Sequence, residues 1–276
     1  MDNIFTKSNK MFLIYMFRLT ARVLIFIACM WGYIFHKEVF VSALTNEFFS
    51  TFTPIHVLWI VLMGGMILHL LPKVKMTMSG LKSRPYSYRE PEGGYDRLQL
   101  FEYVNAMNIR AWRVLLVWLC FNAIFGILYL AGILGAVELV MLSIFYFTCD
   151  LICMLLFCPF QKYMMGNRCC VNCRIFDWGH MMMYTPMLFI PSFFSWSLLF
   201  TSLIVMLRWE LVYAMHPERF WRGSNATIRC ENCRDKTCRI KKPLVTGIDK
   251  IASAMPRPVD MISASAEELE KEFEED

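Results

Sequence analysis

The sequence predicts an all-α protein, a polytopic integral membrane helical bundle with four full spans and a Pro-broken fifth hydrophobic segment, capped by a small Cys-rich metal-binding cytoplasmic module. Three observations carry this reading. Of 276 residues, 57% are hydrophobic and 18% charged, against about 25% charged in a soluble domain, and mean hydropathy is +0.43. The charges are gathered into blocks separated by long uncharged runs. Seven of the eleven cysteines fall between Cys158 and Cys238, next to apolar sequence.

Residues 1–20 read as an interfacial amphipathic start and 21–43 as the first span. Arg18 and Arg22 are four apart, share one helix face and are placed to snorkel to a phosphate layer. No small-residue cleavage site accompanies the first apolar run, so the expectation is insertion rather than export. Pro54 opens a second span, 54–72, which Pro72 closes; about 19 residues make roughly 28 Å of helix, the thickness of a hydrocarbon core.

Residues 73–113 hold eight Lys or Arg and a turn-prone stretch from Arg84-Pro85 to Gly93-Gly94. Leu98, Leu100, Phe101 and Val104 recur there at helical spacing, which predicts an amphipathic helix on the membrane surface. The third span is 114–131. The Gly132–Gly135 turn leads into the fourth, 138–160, so these two are expected to form a tight antiparallel hairpin. Basic residues gather on the side holding the N-terminus and the 73–113 loop, and the positive-inside rule makes that side cytoplasmic.

The Cys-rich loop 161–179 follows, then the broken segment 180–215, then a Cys-rich basic module, 216–243. A single crossing by 180–215 would put Cys230, Cys233, Cys238 and eight basic residues on the far side, against the charge rule. Pro186, Pro191 and Ser192 favour a re-entrant hairpin: a half-helix 178–190, a break at Pro191 and a return helix 193–215. In the single-crossing alternative, Asn225-Ala226-Thr227 is a glycosylation acceptor. Residues 244–276 end in an acidic run and read as a solvated, disordered tail.

Chemistry concentrates on sulfur. Cys170-Val171-Asn172-Cys173 and Cys230-Glu231-Asn232-Cys233 are two C-x-x-C pairs, and two such pairs complete a tetrahedral Zn(2+) site. Cys158, Cys169 and Cys238 are spare candidates. Neighbouring basic residues, Arg168, Arg174, Arg229, Arg234 and Lys236, offset the charge of a four-thiolate centre. An iron–sulfur cluster is the competing metal reading: Cys158-Pro159 is similar to the Cys-Pro closing a bacterial ferredoxin run, but the run itself is absent. Redox-active dithiols are a third reading, without the surrounding βαβ pattern. Cys29, Cys120, Cys149 and Cys153 read as small buried hydrophobes.

The histidines allow a haem b alternative. His56 and His69 stand at opposite ends of the second span, about 20 Å apart along a helix, and His36 and His180 are topologically able to supply their partners. Within the spans, Asp150 is the one mid-span carboxylate. It is either functional or a protonated group bonded to Asn122 on the neighbouring helix.

No P-loop, dinucleotide fingerprint, H-E-x-x-H or nucleophile elbow is present. The basic blocks lie beside spans, which points to the bilayer and its anionic lipid headgroups rather than nucleic acid. The expected role is a non-enzymatic subunit, assembly factor or carrier that docks other membrane or cytoplasmic subunits. A membrane electron-transfer protein is the alternative, and a small-solute or proton-coupled transporter using Asp150 is the second.

Overall fold

The computed structural model describes residues 2–38, 41–42, 52, 54–71, 82, 84–167 and 169–232. Among them every regular element is helical. Six α-helices lie within the described residues: α1 (Asp2–Phe35), α2 (Pro54–Leu70), α3 (Arg97–Leu130), α4 (Ala136–Leu155), α5 (Gly179–Tyr184) and α6 (Phe193–Met215). Four stretches are long and apolar enough to cross a membrane: Leu13–Phe35 in α1, then α3, α4 and α6. α2, with 17 residues, is shorter, and its last turn stops before Pro72 rather than reaching it.

Two helices are longer than the charge pattern predicts. α1 runs unbroken for 34 residues through Arg18 and Arg22, and α3 joins the expected surface helix and the third span into one 34-residue rod. The physical reason is common to both. A charge in a helical run changes what the helix faces, but only a missing donor or a flexible backbone interrupts the i→i−4 ladder, and neither junction contains Pro or Gly. Asp96 starts α3 by accepting the Leu98 N–H at 2.8 Å, the cap that satisfies a free first-turn donor.

The segment before α6 is a compact hairpin. α5 tightens into a 3-10 turn at Thr185–Phe189, because Pro186 has no N–H to continue the α-ladder. After a break at 190–192 the chain returns as α6. The two ends of this hairpin are tied together: Arg174 makes a bidentate ion pair with Glu210, Trp178 Nε1 donates to Glu210 at 2.6 Å, and Trp209 Nε1 donates to the Arg174 carbonyl at 2.7 Å.

The hairpin also corrects the expected pairing of α3 with α4. Its 3-10 turn packs on both helices, with Trp118 of α3 donating to Thr185 Oγ1 at 3.1 Å. The tight α3–α4 hairpin is therefore wedged open, although Tyr146 of α4 still donates to Asn122 of α3 at 3.3 Å.

All long helices share two ends. At one end, Tyr15 and Leu19 of α1 meet Leu151 and Leu155 of α4 and Ile228. There too, Met107 and Ala111 of α3 pack with Cys173, Trp178, Trp209 and Phe220. Every described cysteine of the 158–230 stretch belongs to this end. At the other, Glu138 at the start of α4 accepts from Tyr33 at 2.8 Å and from Lys37 at 2.6 Å. The central core joins Met66, Trp118, Tyr146, Met183, Leu198 and Val205.

Candidate functional site

α1 lies along α4, whereas α2 lies along α6. The space left between these two pairs, backed by α5, is a cavity of about 950 Å³. Most of its wall is apolar, including Val61, Leu62, Met66, Phe145, Phe147 and Phe157. Its polar lining is concentrated on a few charged groups near the cysteine end.

Arg22 and Asp150 form the first group. Arg22 Nη1 donates to Asp150 Oδ2 at 3.0 Å and to the Phe147 carbonyl at 2.6 Å, with its guanidinium 3.9 Å above the Phe147 ring. Arg22 is thus turned inward, and the expected joint snorkelling with Arg18 is replaced by a helix-to-helix tie. A carboxylate on the neighbouring helix outcompetes a distant headgroup because the pair is desolvated only partly and loses no partner. Nor does Asp150 bond to Asn122, which donates to the Trp118 carbonyl at 2.9 Å instead. Gly179 permits the close approach of α5: a Cβ there would stand 2.8 Å from Asp150 Oδ1.

The second group is His69, Asp177 and His180. His69 Nε2 and Asp177 Oδ2 are 3.0 Å apart, with both side chains about nine-tenths buried (11% and 8% exposed), and the His69 and His180 rings lie 5.5 Å apart. Arg208 fixes the end of α2 by donating to the His69 and Leu70 carbonyls. Of the four histidines expected as haem partners, these two come together. His36 packs edge-on to Trp31, and His56 lies between Phe52 and Phe194.

The third group is sulfur. Cys158 Sγ accepts the Gln161 N–H at 3.4 Å, while the Cys170 thiol donates to Gln161 Oε1 at 3.4 Å and to the Met154 carbonyl at 3.5 Å. Cys173 is buried in the core, and that burial pushes its thiol up to about 12. Buried Lys82 donates to the Cys173 carbonyl at 3.1 Å, and desolvation pulls its ammonium down to about 8. Cys230 is exposed and accepts from Arg222 at 2.8 Å; Arg222 and Cys169 line one small surface pocket. Cys233 and Cys238, with Arg168 and the acidic tail, lie outside the described residues. Among the described residues no three His, Cys, Asp or Glu side chains are grouped to hold a metal ion.

The loop that carries Asn225-Ala226-Thr227 is locked rather than presented. Asn225 is fully buried and donates to the Arg219 carbonyl at 2.8 Å, and Thr227 Oγ1 donates to the Ser87 carbonyl at 2.7 Å. A glycan on that amide is incompatible with this packing.

No protein family, no curated protein and no solved structure matches this chain. The ionic ties of the cavity were not visible in local sequence patterns. The signal that finds Arg22 and Asp150 is depth: Arg22 lies 13 residues before the end of α1 at Phe35, and Asp150 lies 14 after the start of α4 at Ala136. In antiparallel neighbours that places them at one level.

Proposed function

We propose that this protein is a membrane carrier that admits an amphiphile with an anionic head from the bilayer into the cavity between α1 and α2. One observation carries the reading: an Arg22–Asp150 pair on the wall of a predominantly apolar 950 Å³ space. A water-soluble solute would want a polar lining, whereas acyl chains fit aromatic and aliphatic walls. An anionic head competes with Asp150 for Arg22, and Arg18, one turn away at the rim, adds a second cation. The cysteine end and the N-terminus belong on the cytoplasmic side by the positive-inside rule, which makes the segment from α5 to α6 a re-entrant hairpin.

The test is leaflet exchange of fluorescent phosphatidylglycerol in proteoliposomes, read by dithionite quenching from outside. Wild type should accelerate exchange, Arg22→Gln should abolish the acceleration, and fluorescent phosphatidylcholine should move more slowly. Equal rates for wild type, Arg22→Gln and empty liposomes would reject the reading.

A second reading has its own support. The 169–173 loop and the 217–230 loop meet at the same end of the bundle, where Arg222 links the Cys230 thiol to the pocket lined by Cys169. This juxtaposition favours a structural zinc that ties the two Cys-rich loops together, with Cys230 and Cys233 as one half of the ligand set. The other half is open between Cys169 and the inward-facing pair Cys170 and Cys173. Elemental analysis of the purified protein decides it: zinc should be present and should fall in the Cys230→Ser/Cys233→Ser variant, and retained zinc in that variant would exclude the reading.

A further inference from the structure

Apart from the main cavity, a second pocket of about 380 Å³ opens between the 166–172 loop and the loop that follows α6. That volume falls within the usual range of a small-molecule site, about 300–1,000 Å³. Tyr103 of α3 and Trp221 form an aromatic wall, their rings 6.0 Å apart and 30° from parallel. Gly223 lets the indole lie against the backbone, because a Cβ there would stand 2.4 Å from the ring. Arg222, Asn167 and Asn172 add polar groups to the lining.

Asn172 is the unusual member. It closes the 3-10 turn Cys170–Asn172 and is 8% exposed. Its backbone is engaged on both sides: the N–H donates to the Cys169 carbonyl at 3.2 Å, and the carbonyl accepts from Asn167 Nδ2 at 3.3 Å. Neither bond involves its side-chain amide, whose oxygen is buried with no hydrogen-bond partner among the described residues. Native proteins leave few buried polar atoms bare, and each one calls for a partner. Exposed Arg222 gives one N–H to Cys230 Sγ at 2.8 Å. Among the described residues no carboxylate lines the pocket, so the guanidinium keeps donors for an anion.

The height of the pocket selects the kind of anion. The third apolar run starts at Val114, and Tyr103 stands 11 residues earlier, about 16 Å along the α3 rod. Headgroups extend only about 5–8 Å beyond the hydrocarbon core. The pocket therefore opens to water, and its anion is a soluble one.

We propose that this pocket binds an adenine nucleotide, with the base against Trp221 and Tyr103, its amino edge on the Asn172 amide and its phosphate on Arg222. An Asn amide matches adenine in particular, since its oxygen accepts from N6 while its nitrogen donates to N7. The fork of an Arg suits phosphate. Aromatic side chains hold any base, which leaves the choice among bases to the amide. The proposal uses neither Arg22, Asp150 nor any thiol, so it stands or falls apart from the carrier and zinc readings.

The experiment is calorimetric titration of the full-length, detergent-purified protein with AMP, with IMP, which lacks the amino group, and with inorganic phosphate. Wild type should bind one AMP per chain, IMP about 10-fold or more weaker, within the discrimination of a bidentate amide pair, and phosphate weaker still. Arg222→Gln, at an exposed position, should weaken AMP by about 10-fold or more. Asn172→Leu should erase the preference for AMP over IMP without lowering the melting temperature of the free protein, because it removes a buried amide that has no partner to lose. Arg22→Gln should bind AMP as wild type does. A wild type that binds no AMP overturns the proposal and leaves the pocket to water. Equal affinity for AMP and IMP, or for AMP and phosphate, overturns it too, by reducing the pocket to an anion site. So does an Asn172→Leu variant that keeps the preference, or one that loses binding and stability together, which would make Asn172 a structural residue only.

Discussion

Arg22 of α1 and Asp150 of α4 are joined at 3.0 Å on the wall of the cavity, so α1 is held to α4 by a charge as well as by apolar packing. The side chains are 22% and 37% exposed, which limits the worth of the pair to about 1–2 kcal/mol. Asp150→Asn and Arg22→Gln should each lower the melting temperature in detergent, and the double variant should lose less than the sum of the two. Strictly additive losses would mean that the pair contributes no coupling.

The clamp at the mouth of the α5–α6 hairpin should matter more. Arg174 is only 5% exposed, is stacked 3.6 Å from the Tyr213 ring, and is neutralised by Glu210. Glu210→Ala strands a buried guanidinium, at about 3 kcal/mol or more. Replacing both residues by Met should recover part of that loss. Thermal unfolding of the three proteins checks the order wild type, double variant, Glu210→Ala; a double variant no better than the single one would mean that the hydrogen bonds of Glu210 to Trp178, rather than its charge, hold the hairpin closed.

Long apolar runs made the helical class and its membrane-length segments readable from the sequence, because hydrocarbon thickness and helix rise leave few alternatives. Helix limits were less readable where charge was taken as a boundary, as at Arg18 and Arg22. The site was read only in part. Asp150 stood out as an ionisable group in an apolar run, but its partner is 128 residues away on another helix. His69 and Asp177, 108 residues apart, meet because a short irregular segment folds back toward the end of α2. Such contacts are set by how elements dock, and local pattern carries little of that.

Gly126 of α3 is where the hairpin presses into the bundle. A Cβ there would overlap the Phe189 ring, so Gly126→Ala should destabilise the protein by about 1–3 kcal/mol, the usual range for overpacking. The cost should be relieved by trimming the ring: Gly126→Ala/Phe189→Leu should melt above Gly126→Ala alone. If Phe189→Leu gives no relief, the loss comes from elsewhere on α3.

Lys82 gives a prediction for pH. It is 1% exposed, and burial lowers its pKa from 10.5 to about 8. The unfolded chain therefore holds this proton more tightly than the folded one. Below pH 8 both states are charged and the folded state carries the full penalty; as pH rises from 8 to 10.5 the penalty is relieved, and stability rises with pH wherever the unfolded state binds more protons. Cys173, raised from 9.0 to about 12, works in the opposite sense, costing stability as pH rises from 9 to 12. Comparing wild type with Lys82→Met removes most of that shared background. Wild type should gain on the variant by roughly 3 kcal/mol between pH 8 and 10.5, measured as the change in their stability difference by chemical denaturation. A difference that stays constant across that window would mean that Lys82 keeps an ordinary affinity for its proton, and that the Cys173 carbonyl and the Trp209 ring, 5.8 Å away, compensate for its burial.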